Sequence, residues 1–85
     1  MLKSKVGFIK YCEKKIKSNN SKIRMLNNEI SEYETIIDVI SKTDISNNII
    51  AKYKNKIDLC MDKIENIAES NKHNNDLIKA IKITL

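Results

Sequence analysis

The chain of 85 residues contains no proline and no tryptophan, and its single glycine is Gly7. Since proline and glycine are the residues that most often end helices and form turns, little in this sequence interrupts long helical segments. The longest apolar run, residues 6–9, is far below the roughly 20 residues needed to cross a bilayer, and it is also too short for a secretory leader. We therefore expect an all-α protein without a transmembrane segment, located in the cytoplasm.

Isoleucine recurs at every seventh position in two stretches of the chain. The first stretch is Ile9, Ile16, Ile23, Ile30 and Ile37, and the second is Ile50, Ile57 and Ile64, with Asn71 in the next place and Ile78 after it. An apolar residue at every seventh position keeps one stripe of a helix facing a partner helix, so these residues are assigned to heptad position a. The pattern predicts a single domain with a helix over residues 2–41, a turn over 42–46 and a helix over 47–84.

The segment between the two stretches is rich in residues that cap helices and form turns. Asp44 and Ser46 are both candidates for the N-cap of the second helix. The sequence therefore predicts an antiparallel coiled-coil hairpin. A turn centred near residues 44 and 45 pairs positions whose numbers sum to about 90.

Two asparagines interrupt the apolar stripes at matching levels. The predicted register places Asn19 at a d position opposite Asn71 at an a position, and a buried asparagine pair penalises slipped registers at a cost in stability. We predict that this pair sets the register. Residues 17–21 and 70–76 are also poor helix formers, and if both were loops the chain would be a compact bundle of four short helices. The hairpin is favoured because the apolar phase resumes unshifted after each polar patch.

Further apolar residues occupy heptad positions c and g, which adjoin d on a helical wheel and broaden the apolar face of both helices toward one side of the hairpin. We call this side the apolar edge and predict that it binds protein through Phe8, Tyr11, Met25, Ile36, Val39, Ile49, Leu59 and Leu77. A chain this short buries little surface alone. The favoured outcome is a homodimer that forms a four-helix bundle, and docking onto a helix of another protein is also consistent with the pattern.

The net charge of +5 is unevenly distributed, because residues 1–24 carry eight basic residues against Glu13 alone. In the hairpin the open end is therefore basic and the turn end acidic. The candidates for binding anions are Lys3, Lys10, Lys14 and Lys17. Arg24 is the only arginine, which disfavours sequence-specific base recognition. A solvated helix face is the favoured interpretation of these lysines, and non-specific binding of nucleic acid is the alternative.

Nothing in the sequence has the spacing of a catalytic or metal site. Cys12 and Cys60 fall at d positions about 27 Å apart along the hairpin at 1.5 Å per residue, so they are predicted to be reduced core residues. His73 has no partners at metal-site spacing. A two-helix rod also lacks the water-excluding cleft that acid–base catalysis needs. We expect no enzyme, no metal and no cofactor.

These patterns favour a small, non-catalytic protein–protein interaction module. Adaptors, secretion partners and phage or viral inhibitors of a host protein are all of this kind, and the composition, rich in isoleucine, lysine and asparagine, is typical of AT-rich genomes. For a phage or viral protein, the location would be the host cytoplasm. The partner is not specified by the sequence. The alternatives are a lysine-driven nucleic-acid-binding protein and a structural coiled-coil assembly subunit.

Overall fold

The computed structural model describes residues 4–43 and 47–85, which form two long helices packed side by side. The first, α1, spans Lys5–Ser41, and the second, α2, spans Asn47–Ile83. The hairpin they make measures 63 × 20 × 14 Å. The described residues include no strand. The all-helical class and the hairpin-like packing of two long helices are confirmed.

Ser4 determines where α1 begins. Its backbone is extended, with φ −131° and ψ 154°, and its hydroxyl oxygen accepts a hydrogen bond from the Gly7 amide at 2.9 Å. This is the usual N-cap arrangement, which satisfies an amide that has no partner within the helix. The helix therefore starts at Lys5, later than the predicted start at residue 2, because Ser4 itself is not helical. Residues 2 and 3 lie outside the described part of the chain.

At the carboxyl end of α1 the backbone hydrogen bonds span three residues instead of the four of an α-helix. The amides of Lys42 and Thr43 donate to the carbonyl oxygens of Val39 and Ile40 at 3.3 and 3.0 Å, and the Thr43 hydroxyl also donates to Ile40 O at 2.8 Å. These bonds satisfy carbonyls that have no partner further along the helix. The two residues predicted as caps for the second helix, Asp44 and Ser46, lie outside the described residues.

Contacts between the helices define an antiparallel register. At the open end the Lys5 ammonium donates to the Thr84 carbonyl at 3.1 Å. Midway along, the side-chain amide of Asn19 donates to the side-chain oxygen of Asn71 at 3.0 Å. Nearer the turn, the rings of Tyr33 and Tyr53 lie 5.8 Å apart. The numbers of these contacting residues sum to between 86 and 90, in agreement with the predicted pairing.

Both helices continue without interruption through their asparagine-rich segments. Residues 17–21 and 70–76 are helical throughout, so the alternative of four short helices is wrong. The physical reason is that Asn19 and Asn71 hydrogen-bond across the helix interface, while Asn74 donates to the Ser70 carbonyl one turn earlier in α2 without breaking the helix. No residue at position a or d is exposed between Ile9 and Ile40 or between Ile50 and Ile81, which shows that the heptad stripes face each other.

The core of this hairpin is small. Among the described residues the buried side chains are Ile9, Cys12, Ile30, Cys60, Asn74 and Ile78. Three of them form one cluster at the open end, where Ile9, Cys12 and Ile78 pack together. The flank of this cluster is covered by Phe8, Ile16, Leu77 and Ile81. Most of the remaining heptad residues are only half-buried, because two helices cannot enclose a stripe on all sides.

Candidate interaction surface

The apolar edge is present on one side of the hairpin and remains largely open. Of its eight predicted residues, the exposed ones are Tyr11, Met25, Val39, Ile49 and Leu59. The half-buried ones are Phe8, Ile36 and Leu77. Phe8 and Leu77 are partly covered because they pack against the open-end cluster. The exposed fractions of Met25 and Leu59 reach 68% and 60%, so the middle of this edge presents large apolar side chains directly to solvent.

An open groove runs along the middle of the apolar edge. It has a volume of about 440 Å³ and is lined by Lys22, Met25, Leu26, Glu29, Lys63, Asn66 and Ile67. All seven occupy positions c, d or g, and both helices contribute. The structure therefore places the c and g positions of α1 and α2 on the same side of the hairpin. Only Met25, among the predicted binding residues, lines this groove directly.

Aromatic rings and lysines cover each other at both ends of this edge. The Lys15 ammonium lies 5.4 Å from the centre of the Tyr11 ring, and that ring lies 6.3 Å from Phe8. Nearer the turn, the Lys56 ammonium lies 5.6 and 5.4 Å from the ring centres of Tyr33 and Tyr53. Such cation–π contacts are worth about 0.5–1 kcal/mol at exposed sites. They hold the lysine side chains down along the apolar surface.

A ladder of polar side chains crosses the helix interface at the level of Asn19. Its side-chain amide donates to Asn71 at 3.0 Å and to the Ser70 hydroxyl at 3.3 Å, and the Asn71 amide donates to the Asn20 side-chain oxygen at 2.9 Å. Beside it, the buried Asn74 amide donates to the Ser70 carbonyl at 2.9 Å. The pairing of Asn19 with Asn71 is the one expected from the sequence, and their role in setting the register stays a prediction.

Ser70 and Asn20 were not anticipated, although both are polar residues beside the asparagine pair. They occupy position g in α2 and position e in α1, where contact across the interface depends on how each helix is rotated. Their position extends the ladder from the apolar edge on one side to the opposite side of the hairpin. Every buried side-chain nitrogen and oxygen among the described residues has a hydrogen-bond partner.

Glu29 contacts the buried thiol of Cys60. The Cys60 thiol donates to Glu29 Oε2 at 3.5 Å. Burial is the main cause that raises the pKa of Cys60, and the hydrogen bond and negative charge of Glu29 raise it further. Burial and the charge of Glu29 also raise the pKa of Tyr33. Both cysteines are free thiols, and a raised pKa makes Cys60 a poor nucleophile near neutral pH.

The structure brings three of the four predicted anion-binding lysines together. Lys10, Lys14 and Lys17 line a shallow surface groove of about 340 Å³ on α1 that also contains Glu13. Lys3 lies outside the described residues. The spacing of acid and base four residues apart is compatible with two ion pairs along α1, Glu13 with Lys17 and Asp38 with Lys42. Asp38–Lys42 forms at 3.4 Å, and the described residues contain no other ion pair within 4.0 Å. The Glu13–Lys17 pair is therefore not formed.

Within residues 4–43 and 47–85 no group of three or more His, Cys, Asp or Glu side chains is placed to hold a metal ion, and His73 is exposed. No helix of the described chain has the length and hydrophobicity that spanning a membrane requires. No protein family, curated protein or solved structure matches this chain.

Proposed function

We propose that the protein is a small, non-catalytic interaction module that pairs with a second copy of itself through the apolar edge, giving a four-helix assembly. The observation that carries this proposal is the open groove between α1 and α2, which Met25 lines, together with the exposed side chain of Leu59 on the same apolar edge. Exposed apolar side chains that are contiguous with a groove are typical of surfaces that bind other proteins.

The exposed surface area of the hairpin is larger than that of a compact monomer of the same mass, which supports the packing of a second chain against it. The chain exposes 6640 Å², whereas a compact monomer of 9.8 kDa exposes about 5200 Å². The radius of gyration is 19.0 Å, against about 12 Å for a compact domain of this length. The excess area of about 1400 Å² per chain is larger than the roughly 800 Å² that each partner buries in a standard protein interface. A second helical layer would bring the surface toward the usual value.

Charge complementarity favours a second copy as that layer and gives it an antiparallel orientation. The open half, residues 1–24 and 66–85, has eleven basic and three acidic residues, whereas the turn half, residues 25–65, has five basic and eight acidic ones. Antiparallel stacking places each open half beside a turn half of opposite net charge, which favours association. With a two-fold axis near Met25, it brings Lys22 close to Glu29 of the partner subunit.

Sedimentation equilibrium tests self-association. The wild-type chain should sediment at twice 9.8 kDa, and Met25→Lys/Leu59→Lys should shift it to the monomer mass, because both substitutions place charges in the interface. The matched control is Val6→Lys/Met61→Lys, which changes two apolar residues of the opposite side, each 53% exposed. The control should remain dimeric. A monomeric wild type, or equal dissociation of both variants, would overturn the proposal.

The same measurement reports the orientation. Lys22→Glu should weaken the dimer by placing like charges together, and Lys22→Glu/Glu29→Lys should restore it. Lys22 and Glu29 are seven residues apart on α1, about 10.5 Å along the helix, so the restoration reflects contact between copies. In parallel copies each residue would face its own counterpart, and reversal of either charge would leave a like-charge pair, so no effect of Lys22→Glu and of Glu29→Lys would contradict the antiparallel orientation. Two other roles would involve assemblies larger than this dimer. In one the protein recruits or inhibits another protein, and in the other it is a spacer in a larger particle.

A further inference from the structure

The side of the hairpin opposite the apolar edge carries a row of cations from both helices. A second groove, of about 390 Å³, lies on this side and is lined by residues at positions a, b and e, among them Lys17 of α1 and Lys82 of α2. The neighbouring b and f positions of the open half add further cations. We call this surface the basic edge; it consists of Lys10, Lys14, Lys17, Arg24, Lys72, Lys79 and Lys82.

These cations are not used to hold the hairpin together. None of the seven takes part in the ion pair, the side-chain hydrogen bonds or the ring contacts found among the described residues. On the apolar edge, by contrast, Lys15 and Lys56 pack over tyrosine rings. Like charges one helical turn apart, such as Lys10 and Lys14, destabilise a helix by a few tenths of a kcal/mol. The basic edge thus carries a repulsion that a bound polyanion would relieve.

We propose that the basic edge binds the phosphate backbone of duplex nucleic acid without sequence preference. Lys10, Lys17 and Arg24 follow one another at seven-residue steps, about 10.5 Å each, so the row extends about 21 Å along α1. A DNA duplex carries about 12 phosphate charges over that length. Lys79 and Lys82 add a second row from α2, about 10 Å away across the helix pair.

The composition of the basic edge selects this ligand over its competitors. The four aromatic residues, Phe8, Tyr11, Tyr33 and Tyr53, occupy positions c, d and g, so no ring is available on this side for the base stacking that single strands use. Lysine binds phosphate as a point charge and does not form the paired hydrogen bonds by which arginine reads guanine. A membrane surface is disfavoured because the exposed apolar residues on this side, Val6 and Met61, stand far apart along the hairpin and form no continuous stripe to insert.

Three carboxylates share the open half with these cations. Glu13 lies between the lysines of α1 and lines both grooves of this side, and Glu69 and Asp76 lie on the outer surface of α2 at position f. They reduce the positive potential without reversing it, since eleven basic residues stand against these three. The apolar edge faces the other way, so binding of a duplex does not compete with a second copy of the chain.

Fluorescence anisotropy with two labelled DNA duplexes of unrelated sequence, over a series of salt concentrations, tests the proposal on the full chain. Both duplexes should bind with the same affinity, and the affinity should fall steeply with salt. Lys10→Gln/Lys17→Gln/Lys79→Gln should reduce the slope of log K against log salt by about 3, since each phosphate contact contributes about 0.9. The control Lys42→Gln/Lys52→Gln/Lys54→Gln removes the same charge from the turn half and should leave the slope unchanged.

Several results would overturn the basic edge as a duplex site. If the two triple variants lose affinity for the duplex and salt dependence equally, binding depends only on the net charge of the protein. Absence of duplex binding at low salt, or tighter binding to a single strand of the same sequence, would also contradict it. Vesicles containing phosphatidylserine provide the membrane comparison, and preferential binding to them would identify a lipid surface instead. Sedimentation of the same triple variant separates this result from failure of the dimer, because the basic edge lies outside that interface.

Discussion

The side-chain amide of Asn19 donates a hydrogen bond to the side-chain oxygen of Asn71, 3.0 Å away across the two helices. A slip of either helix by one turn would leave one or both amides facing isoleucines. An unsatisfied buried amide costs about 1–3 kcal/mol, whereas the native pairing satisfies both side chains. Replacement of both asparagines by apolar residues should therefore raise the stability of the hairpin and lower its specificity for a single register.

Replacement of both asparagines by isoleucine is the first prediction. Asn19→Ile/Asn71→Ile should raise the melting temperature, because two polar groups at the interface become apolar contacts, and should also permit other registers or larger oligomers. Circular dichroism and light scattering measure the two effects. Asn71→Ile alone should lower the melting temperature, since it removes the best partner of Asn19. A double variant that is less stable than the wild type and unchanged in mass would contradict the prediction.

Alkaline pH should weaken the hairpin through Cys60. Its pKa is raised in the folded state by burial and by Glu29, so its contribution to stability is fully present below the ordinary thiol pKa of about 8.5. That contribution is lost as the pH rises through the folded-state value. Urea unfolding over the alkaline range should show a falling free energy of unfolding.

Glu29→Gln provides the comparison for that measurement. The substitution removes the negative charge beside the thiol, so the pKa of Cys60 should move back toward its ordinary value and the alkaline loss of stability should become shallower. Tyr33 contributes in the same direction, because burial and Glu29 raise its pKa as well. Identical pH dependence in the wild type and in Glu29→Gln would show that Glu29 has no part in it.

Two isoleucines of the same helical protein should respond very differently to truncation. Ile30 is 8% exposed in the helix interface, whereas Ile83, the last residue of α2, is 85% exposed. Ile30→Ala should lower the free energy of unfolding by about 2–4 kcal/mol, through lost apolar contact and the cavity left behind. Ile83→Ala should change it by less than about 0.5 kcal/mol. Chemical denaturation of the two variants measures both, and similar losses would mean that the heptad interface is not the main source of stability.

The seven-residue isoleucine repeat predicted the two helices, and the position of the turn together with the asparagine pair predicted their register. A repeat of this kind leaves only a few ways to pair two helices, and the asparagine pair selects among them, so Asn19 and Asn71 could be placed opposite each other before any coordinates. The N-cap at Ser4 was missed, although the signal was present: a serine stands immediately before a long helical segment.

Contacts made by the e and g positions could not be predicted in the same way. Whether Asn20 reaches Asn71, or Glu29 reaches Cys60, depends on the exact rotation and separation of the helices, which the repeat does not specify. The basic edge was only partly anticipated for a similar reason. The lysines of α1 were recognised from their density along the chain, whereas Lys79 and Lys82 joined them only when the antiparallel register placed both helices together.

The polar ladder at Asn19 also divides the apolar interior into two separate parts. The cluster of Ile9, Cys12 and Ile78 lies on one side of it, and the buried Ile30 and Cys60 lie on the other. Because the buried apolar residues lie on either side of this polar level, we expect the free ends of the two helices to separate as one unit while the remainder stays paired. Backbone amide protons between the ladder and the open end should then exchange with solvent sooner than those between the ladder and the turn. The open end is thus expected to be the less stable part of the hairpin.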